Sequence, residues 1–207
     1  MIGFIQQMIN GLSIGSVYAL MAVGYSLVYS IMNFSNFAHG GVIMIGSYIG
    51  FFCISLLNFS FPVAFVTAAL GSGILAIIVE RVAYNPLRKR NAPFLYFIIS
   101  AMGASIFLEN IVVATIGPTF RTYPPVFSAT PIQIGALTIG RLDVLMFVIS
   151  AISLSILVYI IEKTKIGLAI RATSYSSKGS TLMGVNVDKV IFTIFLLGGI
   201  LAGIAGV

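Results

Sequence analysis

An all-α fold, a polytopic helical membrane protein with about six transmembrane spans, is predicted by three observations. Residues 1–79 contain no Asp, Glu, Lys or Arg. Hydrophobic residues make up 59% of the chain and charged residues 8%, against roughly 45–50% and 25% in soluble domains. The basic residues that do occur are gathered in two short stretches. A charge at the bilayer centre costs about 2.5–3.5 kcal/mol on insertion scales, so lipid selects uncharged runs of this kind. Eleven basic and five acidic side chains cannot coat a water-exposed surface of 207 residues. The net charge of +6 does not point to nucleic acid, because its location in two short stretches fits orientation by the positive-inside rule, with membrane lipid as the surrounding partner. Met1-Ile2-Gly3-Phe4-Ile5 lacks the basic region of a secretory leader, and the apolar pattern runs on past any cleavage site. The lone Cys53 cannot pair within the chain and reads as a small membrane-core residue.

A helical span needs about 20 apolar residues, which places spans at 8–31, 41–58, 62–80, 93–116, 143–161 and 190–207 of a single membrane domain, 1–207. Between them, 81–91 carries Arg81, Arg88, Lys89 and Arg90, and 162–189 carries Lys163, Lys165, Arg171, Lys178 and Lys189. These nine of eleven basic residues orient both stretches to the cytoplasm; 117–142, with Arg121 and Arg141, faces outward. Counting back puts the N-terminus outside, provided the first two spans both cross. In the outer stretch Pro118, Pro124, Pro125 and Pro131 rule out a long helix. The stretch 132–140 reads either as a small hairpin turning at Gly135-Ala136 or as an irregular loop. Small residues four apart, Gly11, Gly15 and Ala19, Gly46 and Gly50, and Gly199 and Gly203, predict close helix contacts.

The sharpest local feature is the polar interruption Asn33-Phe34-Ser35-Asn36-Phe37-Ala38-His39-Gly40-Gly41. Asn and His cost free energy in hydrocarbon unless they have partners or line water, and Gly40-Gly41 weakens helix propagation there. Two readings stand. Asn33, Asn36, His39 and Gly40 line a translocation path at a broken helix. Alternatively, the stretch is a turn whose Asn and Ser cap the next helix. Glu109 is a further path candidate, because it lies about 10 Å inside the 93–116 span, although a hydrogen-bonded packing role is the alternative. His39 is the sole histidine and has no spaced thiol or carboxylate, so no metal site and no catalytic residue is expected.

The stretch 163–189 is too long for a mere connection. Ile166, Ala169, Ile170 and Thr173 fall at i, i+3, i+4 and i+7, predicting a short amphipathic helix along the membrane, and the whole suggests a docking surface for a cytosolic partner.

At this point the chain resembles a known family. Tyr18-Ala19-Leu20, Asn36-Phe37-Ala38-His39-Gly40 and Met44-Ile45-Gly46-Ser47-Tyr48 are similar to the branched-chain amino acid ABC transporter permeases, the first permease of the pair. So are Glu80-Arg81-Val82-Ala83-Tyr84 with Pro86-Leu87-Arg88, Gly167 with Arg171-Ala172, and Leu182-Met183-Gly184-Val185-Asn186-Val187-Asp188-Lys189-Val190. The resemblance implies a multi-pass inner-membrane importer of branched-chain amino acids. It also implies four partner subunits: a second permease subunit, two cytosolic ATPases and an extracytoplasmic solute-binding protein. Arg171, Tyr175, Leu182, Met183, Gly184 and Asp188 would then lie in the loop that couples to an ATPase. Two departures are evident: the family usually has acidic residues where Thr173, Ser174 and Tyr175 stand, and commonly Gln at Glu109. Family permeases also continue for roughly two more spans, so the chain is expected to be incomplete at its C-terminus.

No Gly-x-x-x-x-Gly-Lys-Ser/Thr loop occurs, so the chain is expected to be no enzyme and to carry no cofactor, with ATP and Mg on the partner ATPases. An amide or urea permease of the same family is the alternative cargo. From another class, a self-contained channel would not need the long basic loop, and an intramembrane enzyme built on His39 and Glu109 would need a second catalytic group.

Overall fold

The computed structural model describes residues 2–119, 121–124, 132–134 and 137–207. Among them, six helices are long and apolar enough to cross a membrane. They are α1 (Ile2–Met32), α2 (Ala38–Ser55), α3 (Phe61–Val79) with its continuation, α5 (Phe94–Ile116), α6 (Arg141–Lys163) and α9 (Val187–Gly206). The continuation of α3 is a π-helical turn, Glu80–Tyr84, leading into α4 (Asn85–Lys89). Two short helices, α7 (Lys165–Tyr175) and α8 (Ser177–Leu182), precede α9.

Helix ends have local causes. Three asparagines, Asn33, Asn58 and Asn91, hold positive φ of 54°, 50° and 48° just beyond α1, α2 and α4. Asn tolerates the left-handed region better than other side chains and so stops a helix where glycine is absent. The expected break at 33–41 is a short connection, because α2 already begins at Ala38. The third span is the larger correction. It runs unbroken to Lys89 rather than ending at 80, and most of the expected loop 81–91 is helical. Pro86 lacks an N–H and crowds the carbonyl four residues earlier. The π turn relieves this by widening the helix just before it, with the Asn85 N–H donating to the Glu80 carbonyl. Charge marks where lipid ends; it does not end a helix whose backbone is satisfied internally.

The bundle has a core and a rim. Half of α9's apolar window is buried, against 17% for α5 and 11% for α6. Glycines set the core spacing: a Cβ at Gly199 would come within 2.6 Å of the Ala76 Cβ and 2.7 Å of the Ser72 carbonyl oxygen. One at Gly203 would meet the Ala68 carbonyl at 2.6 Å. The Gly46 and Gly199/Gly203 spacings therefore serve contacts inside the chain, whereas a Cβ at Gly11 or Gly15 would meet nothing within 4 Å among the described residues.

At one end of the bundle, β1 (Ile132–Ile134) and β2 (Leu137–Ile139) pair antiparallel with Ile132 opposite Ile139. The expected turn at Gly135-Ala136, and Pro125 and Pro131, lie outside the described residues. The Gln6 amide holds this hairpin against α1, donating to the Thr138 carbonyl at 2.6 Å and accepting from its N–H at 3.0 Å. At the opposite end, the Ser174 hydroxyl donates to the Ser30 carbonyl at 2.7 Å, and Arg88 reaches Asp188 at 2.9 Å. Both basic stretches thus share one end, which the positive-inside rule orients to the cytoplasm.

Candidate translocation and coupling site

At the basic end, the 33–37 connection turns inward. Phe34 is buried, its ring 5.0 Å from Tyr84 and 5.4 Å from Phe97. Asn36 does not cap α2 with its side chain; instead its Oδ1 accepts a 2.7 Å hydrogen bond from the Tyr84 hydroxyl. The Asn36 carbonyl accepts from the His39 N–H at 3.1 Å. His39 is buried, with its ring edge-on to Tyr25 at 6.2 Å. It lies against Gly24 of α1, where a Cβ would stand 3.2 Å from the imidazole. The buried Nε2 has no hydrogen-bond partner among the described residues. Asn36 and His39 border a cavity of about 10 Å³ closed by Val28, Val42, Val79 and Phe195. That is room for about one water.

Tyr84 ties this pair to a charged cluster. It sits at the end of the π turn that Glu80 begins. The Glu80 carboxylate is 3% exposed and receives Arg88 at 3.0 Å and Arg81 at 3.7 Å. The second terminal nitrogen of Arg88 reaches Asp188, in the first turn of α9. Arg88 therefore bridges two carboxylates, one eight residues before it and the other 100 residues after it. A buried ion pair of this kind is costly to break, by about 3–5 kcal/mol, because the surviving charge stays desolvated.

The other path candidates lie apart from this pair. Asn33 and Gly40 are exposed, with nothing within 4 Å of a Cβ at Gly40. Glu109 is exposed on α5, and its carboxylate accepts from the Ser105 hydroxyl at 3.0 Å.

The coupling candidates divide in the same way. Thr164 caps α7 through the Gly167 N–H, and Gly167 sits where any Cβ would overlap the Ile160 and Ile161 carbonyls. Arg171 is held by the Ile161 carbonyl. The buried face of α7 is Gly167, Ile170 and Thr173; Ile166, expected on it, is 52% exposed. Ser176 caps α8, and Asn186 caps α9. Tyr175 is 95% exposed, and Leu182 and Met183 are 87% exposed each. Gly184, at φ +82°, makes the turn into α9 that few other residues could make.

Two kinds of comparison bear on this arrangement. A family model described as branched-chain amino acid transport system / permease component matches residues 7–207. The chain belongs to that permease family. It is 36% identical to the high-affinity branched-chain amino acid transport system permease protein BraD of Pseudomonas aeruginosa, over 99% of this chain and 70% of BraD. It is 38% identical to the corresponding protein LivH of Salmonella typhimurium, over 99% of this chain and 70% of LivH. A probable branched-chain amino acid transport permease protein LivH of Methanocaldococcus jannaschii is 29% identical over 92% of this chain and 61% of its own length. No solved structure matches the chain. The permease is thus a multi-pass inner-membrane transport protein.

Tyr84, Glu80 and Arg88 escape sequence reasoning as site residues of this permease, although they stand in the stretches that carry the family resemblance. One further signal was present: Glu80 and Arg88 are eight residues apart, two helical turns, and so share a face if the helix continues. The apolar cut-off at 80 concealed that continuity.

Proposed function

We propose that this chain is a membrane-spanning subunit of an ATP-driven importer of branched-chain amino acids. It would pair with a second permease subunit, receive cargo from an extracytoplasmic solute-binding protein and be driven by two cytosolic ATPases that hold ATP and Mg. The cargo is read from the relatives' names. The coupling is carried by one observation: Tyr175 and Leu182 stand out at the basic end on two short capped helices, with Met183 just beyond the second. Exposed apolar anchors on a rigid support are what a docking contact needs, since exposed ion pairs contribute little.

The geometry supports a direct route for the stroke. α8 leads through Gly184 to α9, whose first turn grips Arg88 through Asp188. Arg88 grips Glu80 at the start of the π turn, and Tyr84 at its end holds Asn36 beside His39. Closure of the ATPases that displaces α8 would move α9 and the end of α3 together. That repositions the buried Asn36–His39 pair, which would act as a gate on the cytoplasmic side.

Reconstitution tests this reading. The complete permease, assembled with its partner subunits in proteoliposomes, should take up leucine, isoleucine and valine when ATP is inside and the binding protein is present. Uptake of urea or acetamide in place of leucine would replace the cargo, and uptake independent of ATP would replace the mechanism. Single cysteines at 175, 182 and 183 should crosslink to the ATPase; crosslinks only from 88–91 would move docking to the other basic stretch.

A further inference from the structure

The outer end of the bundle holds a second feature that the gate and the docking helices leave unused. Between α2 and α5 lies a cleft of about 330 Å³, within the size range of small-molecule sites. Met44, Tyr48 and Phe51 of α2 face Val112 and Val113 of α5 across it. Gly117, Pro118, Thr119, Arg121 and Tyr123, which follow α5, line its other side. The Tyr123 hydroxyl donates to the Ser47 carbonyl at 2.6 Å, and its ring stands edge-on to Phe51 at 5.8 Å. Gly50 makes room for this latch, since a Cβ there would come within 2.8 Å of the hydroxyl oxygen. Burial pushes the Tyr123 phenol upward, so it stays neutral and keeps donating at physiological pH.

The same segment brings Arg121 to the cleft. Its only hydrogen bond among the described residues is a long one, 3.5 Å, to the Ile116 carbonyl, and no carboxylate pairs with it there. A guanidinium has five N–H donors in a planar fork suited to a carboxylate. Here the fork borders an aliphatic and aromatic slot, a combination that selects a carboxylate carried on a short branched apolar tail.

We propose that this cleft is an outer binding site for the cargo, with Arg121 holding its α-carboxylate and the α2–α5 slot holding its side chain. The inference rests on the cargo class proposed above and assigns that cargo an entry site on the outer side of the Asn36–His39 pair, since Ser47 and Phe51 lie about two to three helical turns beyond His39 on α2. The cargo's ammonium group would lie toward the faces of Tyr48 and Phe51, as cations do over aromatic rings. An Arg at an outer mouth has one competing use, reaching a lipid phosphate.

The test measures binding of radiolabelled leucine to the assembled transporter in nanodiscs, without the binding protein. Wild type should bind. Arg121→Gln should weaken binding by about 10- to 100-fold, the loss expected of a charge-assisted hydrogen bond. Arg121→Lys should retain part of it, and Val113→Trp should abolish it by filling the slot. Isovalerate, which keeps the carboxylate, should compete, and leucinol, which lacks it, should not. Unchanged leucine binding by Arg121→Gln, or competition by leucinol equal to that of isovalerate, overturns the site and leaves Arg121 to lipid. ATP-driven uptake by wild type in proteoliposomes separates the two claims: leucine uptake with unaltered binding in both variants removes only the outer site, whereas no uptake of any branched-chain amino acid removes the function on which it rests.

Discussion

Glu80 and Glu109 both lie within helices long and apolar enough to span a membrane, and the bundle surrounds them differently. Glu80, at the end of α3, is 3% exposed and held by Arg81 and Arg88 beneath a helix that continues over it. Glu109, seven residues from the end of α5, is exposed and accepts a hydrogen bond from Ser105 on its own helix. The first carboxylate belongs to a network that joins α3, α4 and α9. The second belongs to one helix only. In a bilayer, burial against other helices turns an ionisable residue into a structural joint, while exposure leaves its cost to whatever covers it.

The comparison can be broken from its strong side first. Arg88→Met should lower the unfolding free energy in detergent by about 3–5 kcal/mol, because the buried Glu80 carboxylate is left with only Arg81 at 3.7 Å. Replacing both residues, Glu80→Leu with Arg88→Met, should recover most of that loss, since an apolar pair needs no solvation. If the double variant is as unstable as the single, the ion pair is not what Glu80 contributes.

A smaller effect is expected at Tyr84→Phe. The buried Asn36 Oδ1 loses its donor, at about 1–3 kcal/mol, and the contact between the third span and the 33–37 connection loosens. Cysteine accessibility at position 39 should rise in the same variant; unchanged stability and accessibility would detach Asn36 from the network.

Asp188→Asn sharpens the comparison by separating stability from coupling. The Asp188 side chain is 75% exposed, so its pair with Arg88 should be worth less than about 1 kcal/mol. In the reconstituted transporter, however, uptake should fall for each ATP hydrolysed, because α9 no longer grips the end of α3. Uptake per ATP equal to wild type would show that the stroke travels elsewhere.

The smallest change belongs to Glu109→Gln, which should alter stability by no more than about 0.5 kcal/mol, as an exposed substitution does. A loss comparable to that of Arg88→Met would show that α5 is covered in the assembled transporter by a subunit that depends on this carboxylate.

Much of the fold was legible in the sequence for local reasons. Uncharged runs located all six spans, with errors of a few residues at most ends and of about nine at the third. The basic clusters grouped 81–91 and 162–189 on one side, and Arg88–Asp188 shows their elements meeting. The strands of the hairpin also fell where an alternating pattern had allowed them. The exposed Tyr175, Leu182 and Met183 were visible as apolar residues in a polar stretch. The amphipathic pattern of α7 was right at Ile170 and Thr173 and misled at Ile166, because Gly167, with no side chain, took the place against α6.

What the sequence by itself determined is the partition between lipid and water. That partition is a sum of transfer free energies over about 20 residues, which needs no knowledge of neighbours. Tertiary structure alone decided which polar groups satisfy one another. Asn36 finds Tyr84 across 48 residues and Arg88 finds Asp188 across 100, and Arg121 comes to an apolar slot while Glu109 stays outside. The physical reason is that a desolvated polar group takes its stability from the partner within about 3 Å, and the fold, not the spacing along the chain, supplies that partner.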